Sequence, residues 1–185
     1  MKDISNLHEI DRIMINEEEI QTKVSEIAKR ITEDYKNVKE EILLVGILKG
    51  SVVFLSDLCR KIDIPVSIDF ISISSYGNST QSTGDVRVLK DLDRNIEDKH
   101  IIIVEDIIDS GYTLEYLLAS IKAKKAKSVK IATLLSKPSR RVVDVPVDYI
   151  GFEIEDEFIV GYGIDYAEKY RNLPFIGVIK REVYS

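Results

Sequence analysis

Apolar residues recur at helical spacing in three segments of the chain. The longest is 20–35, where they return every three or four residues and form one stripe that faces a core. Asn16 and the three glutamates after it supply an N-cap and an acidic first turn, so this helix is predicted to begin at Glu17. Two shorter helices are predicted over 52–62 and from about 113 to 123.

Continuous apolar runs predict strands that are buried on both faces of a sheet. Such runs occupy 42–48, 101–104 and 129–135. Strands that alternate with helices favour an α/β fold, with a mostly parallel central sheet flanked by helices. Ligands bind such sheets beyond the carboxyl ends of the strands, which directs attention to the loops that follow the buried runs. Further short strands are predicted at 66–70, 149–154, 158–160 and 175–179.

The longest polar stretch of the chain is 76–85, which contains no aliphatic residue. The stretch is typical of a long flexible loop. Val86, Val88 and Leu89 after it suggest a return strand, so the loop is predicted to join the arms of a hairpin. An equally simple interpretation is a hairpin tip with no role in function.

Composition and charge narrow the class of protein. The chain has 185 residues and a net charge of −6, which fits one globular domain and argues against a general nucleic-acid or membrane-surface binder. A local basic pocket for a phosphate ligand stays possible. Cys59 is the single cysteine, so a disulfide scaffold is excluded, and we expect it to be a buried apolar residue. We expect a cytoplasmic protein, because the sequence carries neither a secretory signal nor an apolar run of about 20 residues.

The segment 104–114 carries the strongest chemical signal. Glu105 and Asp106 follow a buried strand, and the Ser110-Gly111 turn and Thr113 open a helix. Backbone N–H groups, hydroxyls and a positive helix terminus make an anion cradle, whereas the carboxylates suit a sugar diol or Mg²⁺. This layout fits a sugar phosphate. The alternative is a simple helix cap beside two solvated acids.

The segment 104–114 closely resembles the phosphoribosyl-pyrophosphate signature of type I phosphoribosyltransferases, and other segments resemble the hypoxanthine-guanine phosphoribosyltransferases among them. The matching segments are Leu48 to Ser51, Ser75-Tyr76, 82–85, Lys137, 158–166 and 171–174. The resemblance implies the type I phosphoribosyltransferase fold in a single domain over 1–185. It also implies a small hood subdomain, formed by N-terminal residues and about 150–185.

The resemblance assigns the phosphoribosyl side of the site. Glu105 and Asp106 would hold the ribose hydroxyls and help to place Mg²⁺. Residues 109–113 would wrap the 5′-phosphate, with Asp109 as the general base. The members of this side that would bind substrate are Glu105, Asp106, Ile107, Asp109, Ser110, Gly111, Tyr112 and Thr113.

The pyrophosphate and closing loop are assigned in the same way. Lys49, Gly50 and Arg171 would contact pyrophosphate, and the Leu48–Lys49 bond is often a cis peptide in this family. Ser75 and Tyr76 would begin a loop that closes over the reaction. Taken alone, Arg171 also fits an ion pair with Glu168 on a helix face.

The resemblance assigns the base side to four residues. Lys137 would donate to the purine O6, and Phe158 would stack on the base. The main chain at Ile159 and Asp165 would read the edge of the base, and the Asp165 carboxylate would bind a second Mg²⁺. Taken alone, Lys137 fits a solvated turn and Phe158 fits ordinary core.

The implied reaction is transfer of the 5-phosphoribosyl group from phosphoribosyl pyrophosphate to hypoxanthine or guanine, giving IMP or GMP and pyrophosphate. The implied assembly is a homodimer or homotetramer, with no nucleic acid and no membrane as partners. Two rival interpretations are a phosphoribosyl-pyrophosphate sensor that binds nucleic acid, and a transferase for another base. The preference between hypoxanthine and guanine stays open.

Overall fold

The computed structural model of the protein describes residues 8–75 and 86–184. The elements of its first half are β1 (Ile10–Ile15), α1 (Glu17–Tyr35), β2 (Ile42–Leu48), α2 (Val52–Cys59), β3 (Ser67–Ser75) and β4 (Val86–Lys90). The elements of its second half are β5 (His100–Ile108), α3 (Tyr112–Ala123), β6 (Ser128–Ser136), β7 (Tyr149–Glu153), β8 (Ile159–Val160), β9 (Ile176–Ile179) and α4 (Arg181–Tyr184).

A six-stranded sheet forms the centre of the fold, with the order β4-β3-β2-β5-β6-β7. All neighbouring pairs are parallel except β3 and β4, which form an antiparallel edge hairpin. The chain winds one way from β2 to β3 and the other way from β5 to β7. The carboxyl ends of β2 and β5 therefore meet at a topological switch point, where open α/β sheets bind ligands.

Helices cover both faces of this sheet, as the sequence predicted. The α1 and α2 helices bury one face, in a core that includes Ile20, Phe54 and Leu134. The α3 helix buries the other face, in a second core that includes Leu117 and Ile131. The alternation of strand side chains divides each strand between the two cores.

The start of α1 is built as the sequence predicted. Asn16 Oδ1 accepts a hydrogen bond from the Glu19 N–H at 3.0 Å, and a Glu19 carboxylate oxygen accepts one from the Asn16 N–H at 2.8 Å. This capping box satisfies two backbone donors that would otherwise lack partners at a helix start.

Three boundaries differ from prediction by more than one residue. The β5 strand runs on to Ile108, so Glu105 and Asp106 lie on the strand and not in a turn, because β6 continues to pair with this part of the chain as far as Ser136. The β3 strand extends to Ser75, since β4 pairs with its polar end. The α2 helix ends at Cys59, which is half-buried and not buried as expected.

A second, three-stranded antiparallel sheet has the order β1-β9-β8, shares no strand with the central sheet and packs on the core of α1 and α2. Its strands come from the N-terminal and C-terminal segments that the resemblance assigned to a hood. The β1 strand was not predicted from the sequence. Among the described residues, no helix is both long and apolar enough to cross a membrane.

Candidate active site

A cleft of about 270 Å³ opens at the switch point between β2 and β5. Its walls include the loop after β2, the end of β5, the first turn of α3 and a turn between β8 and β9. The predicted site residues that line it are Lys49, Gly50, Glu105, Asp106, Thr113, Asp165 and Arg171. The topology thus gathers residues that are up to 122 positions apart in the sequence into one cleft.

Two glycines allow the loop after β2 to approach its neighbours closely. A Cβ atom on Gly50 would lie 1.8 Å from Oδ2 of Asp106. A Cβ atom on Gly163, whose φ is +103°, would lie 2.1 Å from the Gly50 carbonyl oxygen. Only glycine fits at position 163, because the clash is with backbone and φ is left-handed, whereas a side chain at position 50 would force the Asp106 carboxylate or the loop to move. The Leu48–Lys49 peptide bond between this loop and β2 is cis, as the resemblance implied.

The two carboxylates at the end of β5 belong to different faces of the sheet. Asp106 faces the side of Gly50, whereas Glu105 lies beside the start of α3. Burial raises the pKa of Glu105 well above its ordinary value, and the neighbouring charge of Asp106 acts in the same direction. Burial also raises the pKa of Asp106, to about 6, although the Ile107 N–H that donates to its Oδ1 acts against this. Oε2 of Glu105 is buried without a hydrogen-bond partner, which is rare and is typical of a functional site.

The turn after β5 forms a second, smaller cavity of about 100 Å³. Its lining includes Asp109, Ser110 and Gly111, and it shares Glu105 and Thr113 with the main cleft. Gly111 is the N-cap of α3 in a left-handed conformation (φ +94°), and no side chain caps the helix there. The first N–H groups of α3 are therefore left to a ligand or solvent, as an anion cradle requires.

The segment after β6 holds this turn in place. The Ser110 carbonyl accepts hydrogen bonds from the N–H groups of Val142 and Val143, both at 3.0 Å. Nε of Arg140 donates to Oδ1 of Asp109 at 3.1 Å, in a pair that is about half exposed on both sides. Nε of Arg141 donates to the Asp109 carbonyl at 3.3 Å. Asp109 is therefore reachable from solvent but fixed in direction.

Cations and carboxylates meet on the opposite wall of the cleft. Nη1 of Arg171 donates to the Gly163 carbonyl at 2.8 Å, and its Nη2 lies 2.8 Å from the Asp165 carboxylate. Glu168 contacts both Arg171 and Lys49. The alternative considered for Arg171, a pair with Glu168, is present, but it forms in a tight turn and not on a helix. Left-handed φ angles at Ala167 and Glu168, and the bridge between Tyr166 and Lys169, exclude a helix there.

The family of the chain is shown by its similarity to known proteins. The sequence profile of the phosphoribosyl transferase domain matches residues 14–167, which is most of the chain. The chain belongs to the phosphoribosyl transferase domain family. A hypoxanthine-guanine phosphoribosyltransferase of Bacillus subtilis is 52% identical over 178 residues, which are 96% of this chain and 98% of the relative.

Solved structures of this family agree with the fold. The crystal structure of a hypoxanthine phosphoribosyltransferase from Staphylococcus aureus superposes with a TM-score of 0.94 at 45% identity, covering all of both chains. A hypoxanthine-guanine phosphoribosyltransferase structure from Bacillus anthracis has a TM-score of 0.88 at 55% identity, and covers 93% of this chain and all of that one. The expected type I phosphoribosyltransferase fold is therefore confirmed.

Of the four residues that the phosphoribosyltransferase resemblance assigned to the base, Asp165 lines the main cleft, whereas Lys137, Phe158 and Ile159 lie outside both cavities. The Lys137 N–H donates to the Ile108 carbonyl at 3.0 Å, and its Nζ donates to the Glu157 carbonyl at 2.8 Å. Lys137 is buried, so it is not the solvated turn lysine that its sequence context alone suggested. Phe158 is exposed, with its ring stacked on that of Tyr184 at 4.7 Å, so it is not ordinary core. Ile159 is buried in β8.

Several parts of the phosphoribosyltransferase site were missed by sequence reasoning or lie outside the described residues. Arg140 was not singled out in the sequence, because its pairing with Asp109 depends on tertiary structure. The close contact of Gly163 with the loop after β2 had no sequence signal beyond the glycine itself. Tyr76 and the predicted loop over 76–85 lie outside the described residues. For Ser75 the structure describes the backbone, at the end of β3.

Proposed function

We propose that the chain transfers the 5-phosphoribosyl group from phosphoribosyl pyrophosphate to hypoxanthine or guanine, giving IMP or GMP and pyrophosphate. The observation that carries the proposal is the arrangement at the switch point, where a carboxylate pair lies between an uncapped helix start and a cationic wall. A sugar that bears a phosphate and a pyrophosphate needs these three kinds of contact. The similarity to hypoxanthine-guanine phosphoribosyltransferases of Bacillus subtilis and Bacillus anthracis supports the same reaction.

In the proposed mechanism, side chains of the site neutralise the charge that develops and accept a proton. Breaking the bond between ribose C1′ and pyrophosphate develops positive charge on the sugar ring, as in glycosyl transfer generally. Lys49 and Arg171 neutralise the departing pyrophosphate. Asp109 accepts the proton from the incoming purine nitrogen, since it is reachable from solvent and held by Arg140. The N–H groups at the start of α3 hold the 5′-phosphate.

The donor set of the cleft fits Mg²⁺ that is bound mainly through substrate. Among the described residues, no group of three or more His, Cys, Asp or Glu side chains is placed to hold a metal on its own. Mg²⁺ commonly takes only one or two carboxylates and completes its shell with water and phosphate oxygens. Glu105, whose Oε2 has no partner, together with Asp106 and Asp165, would supply those carboxylates. When bound, the metal would neutralise charge on the pyrophosphate.

On the base side, the proposal assigns recognition of the 6-oxo group to the Lys137 ammonium. Its Nζ is held by the Glu157 carbonyl, one residue before Phe158, so the donor and the stacking ring share one anchor. Phe158 then presents an exposed ring to the base. The main chain at Ile159 and Asp165 is proposed to read the edge of the base.

We propose a cytoplasmic homodimer or homotetramer without nucleic-acid or membrane partners, and one domain whose hood is the sheet of β1, β8 and β9. Ser75 and the loop 76–85, which begins with Tyr76, are proposed to close over the reaction. Closure would exclude water, which otherwise hydrolyses a cationic sugar.

The function is tested by a spectrophotometric assay of the full chain with Mg²⁺ and phosphoribosyl pyrophosphate. Hypoxanthine, guanine, xanthine, adenine and uracil are offered one at a time. We expect turnover with hypoxanthine or guanine, its loss on chelation by EDTA, and its return when Mg²⁺ is added. Turnover with adenine or uracil alone would overturn the base assignment, and no turnover with any base would instead favour the sensor.

Replacing Lys137 with alanine tests base recognition. We expect the KM for the purine to rise about 10-fold to 100-fold, because hydrogen bonds from a charged group contribute about 1.5–3 kcal/mol. The KM for phosphoribosyl pyrophosphate should stay within about twofold, since Lys137 lies outside the cleft that holds Lys49 and Arg171. Steady-state kinetics with each substrate varied in turn measures both values.

A matched control is Lys99→Ala. Lys99 is partly buried and forms an ion pair with Glu41, as Lys137 does with Asp156, but it lies at the amino-terminal end of β5. Its removal should leave both KM values unchanged. A purine KM that is the same in Lys137→Ala as in the unaltered protein would contradict the assignment.

A further inference from the structure

The turn 165–171 carries a carboxylate that the proposed mechanism does not use. Glu168 lies in this turn in a left-handed conformation (φ +64°), and its side chain is about two-thirds exposed. The Glu168 N–H donates to Oδ2 of Asp165 at 2.9 Å, which anchors the backbone and leaves the side chain directed elsewhere. The Tyr166–Lys169 bridge closes the same turn. The position of the carboxylate is therefore set by the turn itself.

Glu168 bridges the two cations of the cleft wall. Its carboxylate oxygens accept hydrogen bonds from Nζ of Lys49 at 3.1 and 3.2 Å. One of them also lies 3.3 Å from Nη2 of Arg171. These contacts lower the pKa of Glu168, with the hydrogen bond from Lys49 as the largest cause, so the group is ionised at neutral pH. One carboxylate thus contacts both residues assigned to pyrophosphate.

We propose that Glu168 is an affinity-tuning residue that competes with pyrophosphate for Lys49 and Arg171. An incoming pyrophosphate, free or as part of phosphoribosyl pyrophosphate, exchanges the carboxylate for its own oxygens at both cations. The inference rests on the proposed function, because that function makes Lys49 and Arg171 the pyrophosphate contacts. Glu168 weakens the binding of substrate and of the pyrophosphate product alike.

The alternative role for Glu168 is to hold the cations in position. Arg171 does not need it for that purpose, because Nη1 is anchored on the Gly163 carbonyl and Nη2 on the Asp165 carboxylate. Lys49 has no second hydrogen-bond partner for its ammonium among residues 8–75 and 86–184. The two roles predict opposite signs: removing a competitor tightens pyrophosphate binding, whereas removing a support weakens it.

The size of the effect follows from the exposure of the pairs. Lys49 and Glu168 are each about two-thirds exposed, so the ion pair is screened by solvent and exchanges readily. Arg171 is more buried, and its pair with Glu168 is less screened. We therefore expect the competition to weaken pyrophosphate binding by about threefold to tenfold at low salt, and by less at high salt.

The test is titration calorimetry of inorganic pyrophosphate with Mg²⁺ into the full chain and into Glu168→Gln. The glutamine keeps the length of the side chain and removes its charge. We expect Glu168→Gln to bind pyrophosphate about threefold to tenfold more tightly, with the gain falling as salt is raised. In steady-state assays, pyrophosphate should also inhibit the variant at correspondingly lower concentration.

The matched control is Glu97→Gln. Glu97 forms an exposed ion pair with Lys125 at 3.2 Å, close to the 3.1 Å of the Glu168 pair, but lies outside both cavities of the site. The Glu97→Gln substitution removes the same charge as Glu168→Gln and should leave the affinity for pyrophosphate unchanged. An equal gain in both variants would reduce the effect to net charge and overturn the proposal.

Two further outcomes distinguish failure of the competitor role from failure of the proposed function. Unchanged or weaker binding in Glu168→Gln, with normal binding and turnover in the unaltered chain, overturns the competitor role and leaves the proposed function intact. An unaltered chain that neither binds pyrophosphate nor turns over any base overturns both. Equal thermal midpoints for the two variants would exclude misfolding as the cause of any change.

Discussion

Replacing Asp109 with asparagine is expected to lower kcat by about 100-fold or more while the KM for phosphoribosyl pyrophosphate changes little. A positioned general base contributes about 10²-fold to 10⁴-fold, and asparagine cannot accept the purine proton. Asparagine does keep an oxygen for the hydrogen bond from Arg140 Nε, so the turn should stay in place. Steady-state kinetics with hypoxanthine and guanine measures both constants.

The comparison variant is Asp93→Asn. Asp93 forms an exposed ion pair with Lys90 at 3.0 Å, similar to the 3.1 Å of the Asp109 pair with Arg140. It lies outside both cavities of the site, so its kcat should match that of the unaltered protein. If Asp109→Asn retained full turnover, Asp109 would have no part in proton transfer.

Gly50→Ala is expected to reduce kcat/KM for phosphoribosyl pyrophosphate by at least about 100-fold. The new methyl group would lie 1.8 Å from Oδ2 of Asp106, so either the loop after β2 or the carboxylate must move by more than 1 Å. Asp106 cannot yield easily, because it sits on the central strand β5 and its other oxygen accepts from the Ile107 N–H. Displacements of about 1 Å at reacting groups cost about 10²-fold.

The control for the glycine variant is Gly177→Ala in β9. A Cβ atom there would meet the Ile10 side chain at 3.2 Å and the Phe175 ring at 3.3 Å, both of which can shift slightly. Its kcat/KM should stay within about twofold. Thermal denaturation of both variants separates a local effect from general unfolding. A Gly50→Ala protein with ordinary kinetics would contradict the close packing of this loop.

The centre of the sheet was predictable because long parts of β2, β5 and β6 are buried on both faces. Ile42–Leu48 reads as an unbroken apolar run, and such a run has few structural alternatives. The β1 strand escaped prediction because bulges at both ends of its pairing with β9 break the alternation that marks a strand. The polar end of β3 is a strand only because β4 pairs with it, and single-sequence patterns do not register such pairing.

The candidate site, like the fold, was predictable from the sequence only in part. The acidic pair and the turn after it are contiguous in sequence, so their chemistry was visible there. The contacts of Arg140 with Asp109 and of Glu168 with Lys49 join residues that lie 31 and 119 positions apart. Such contacts depend on the sheet order, which sequence patterns constrain only loosely. The Arg171–Glu168 pair was considered only as an alternative role of Arg171, and on a helix, because the left-handed turn has no simple signature.

One buried contact has a consequence for how sequence variants of this protein are interpreted. The Tyr162 hydroxyl donates to Asp57 on α2 at 2.6 Å, and Gln21 on α1 donates to the same carboxylate oxygen at 2.8 Å. Tyr162 directly precedes Gly163, so this bond ties the cationic wall of the cleft to the helical layer. A variant that removes the hydroxyl leaves every lining side chain unchanged, yet loosens their support. In a growth-based screen it would be scored as an active-site defect, and only a folding measurement would reveal its true origin.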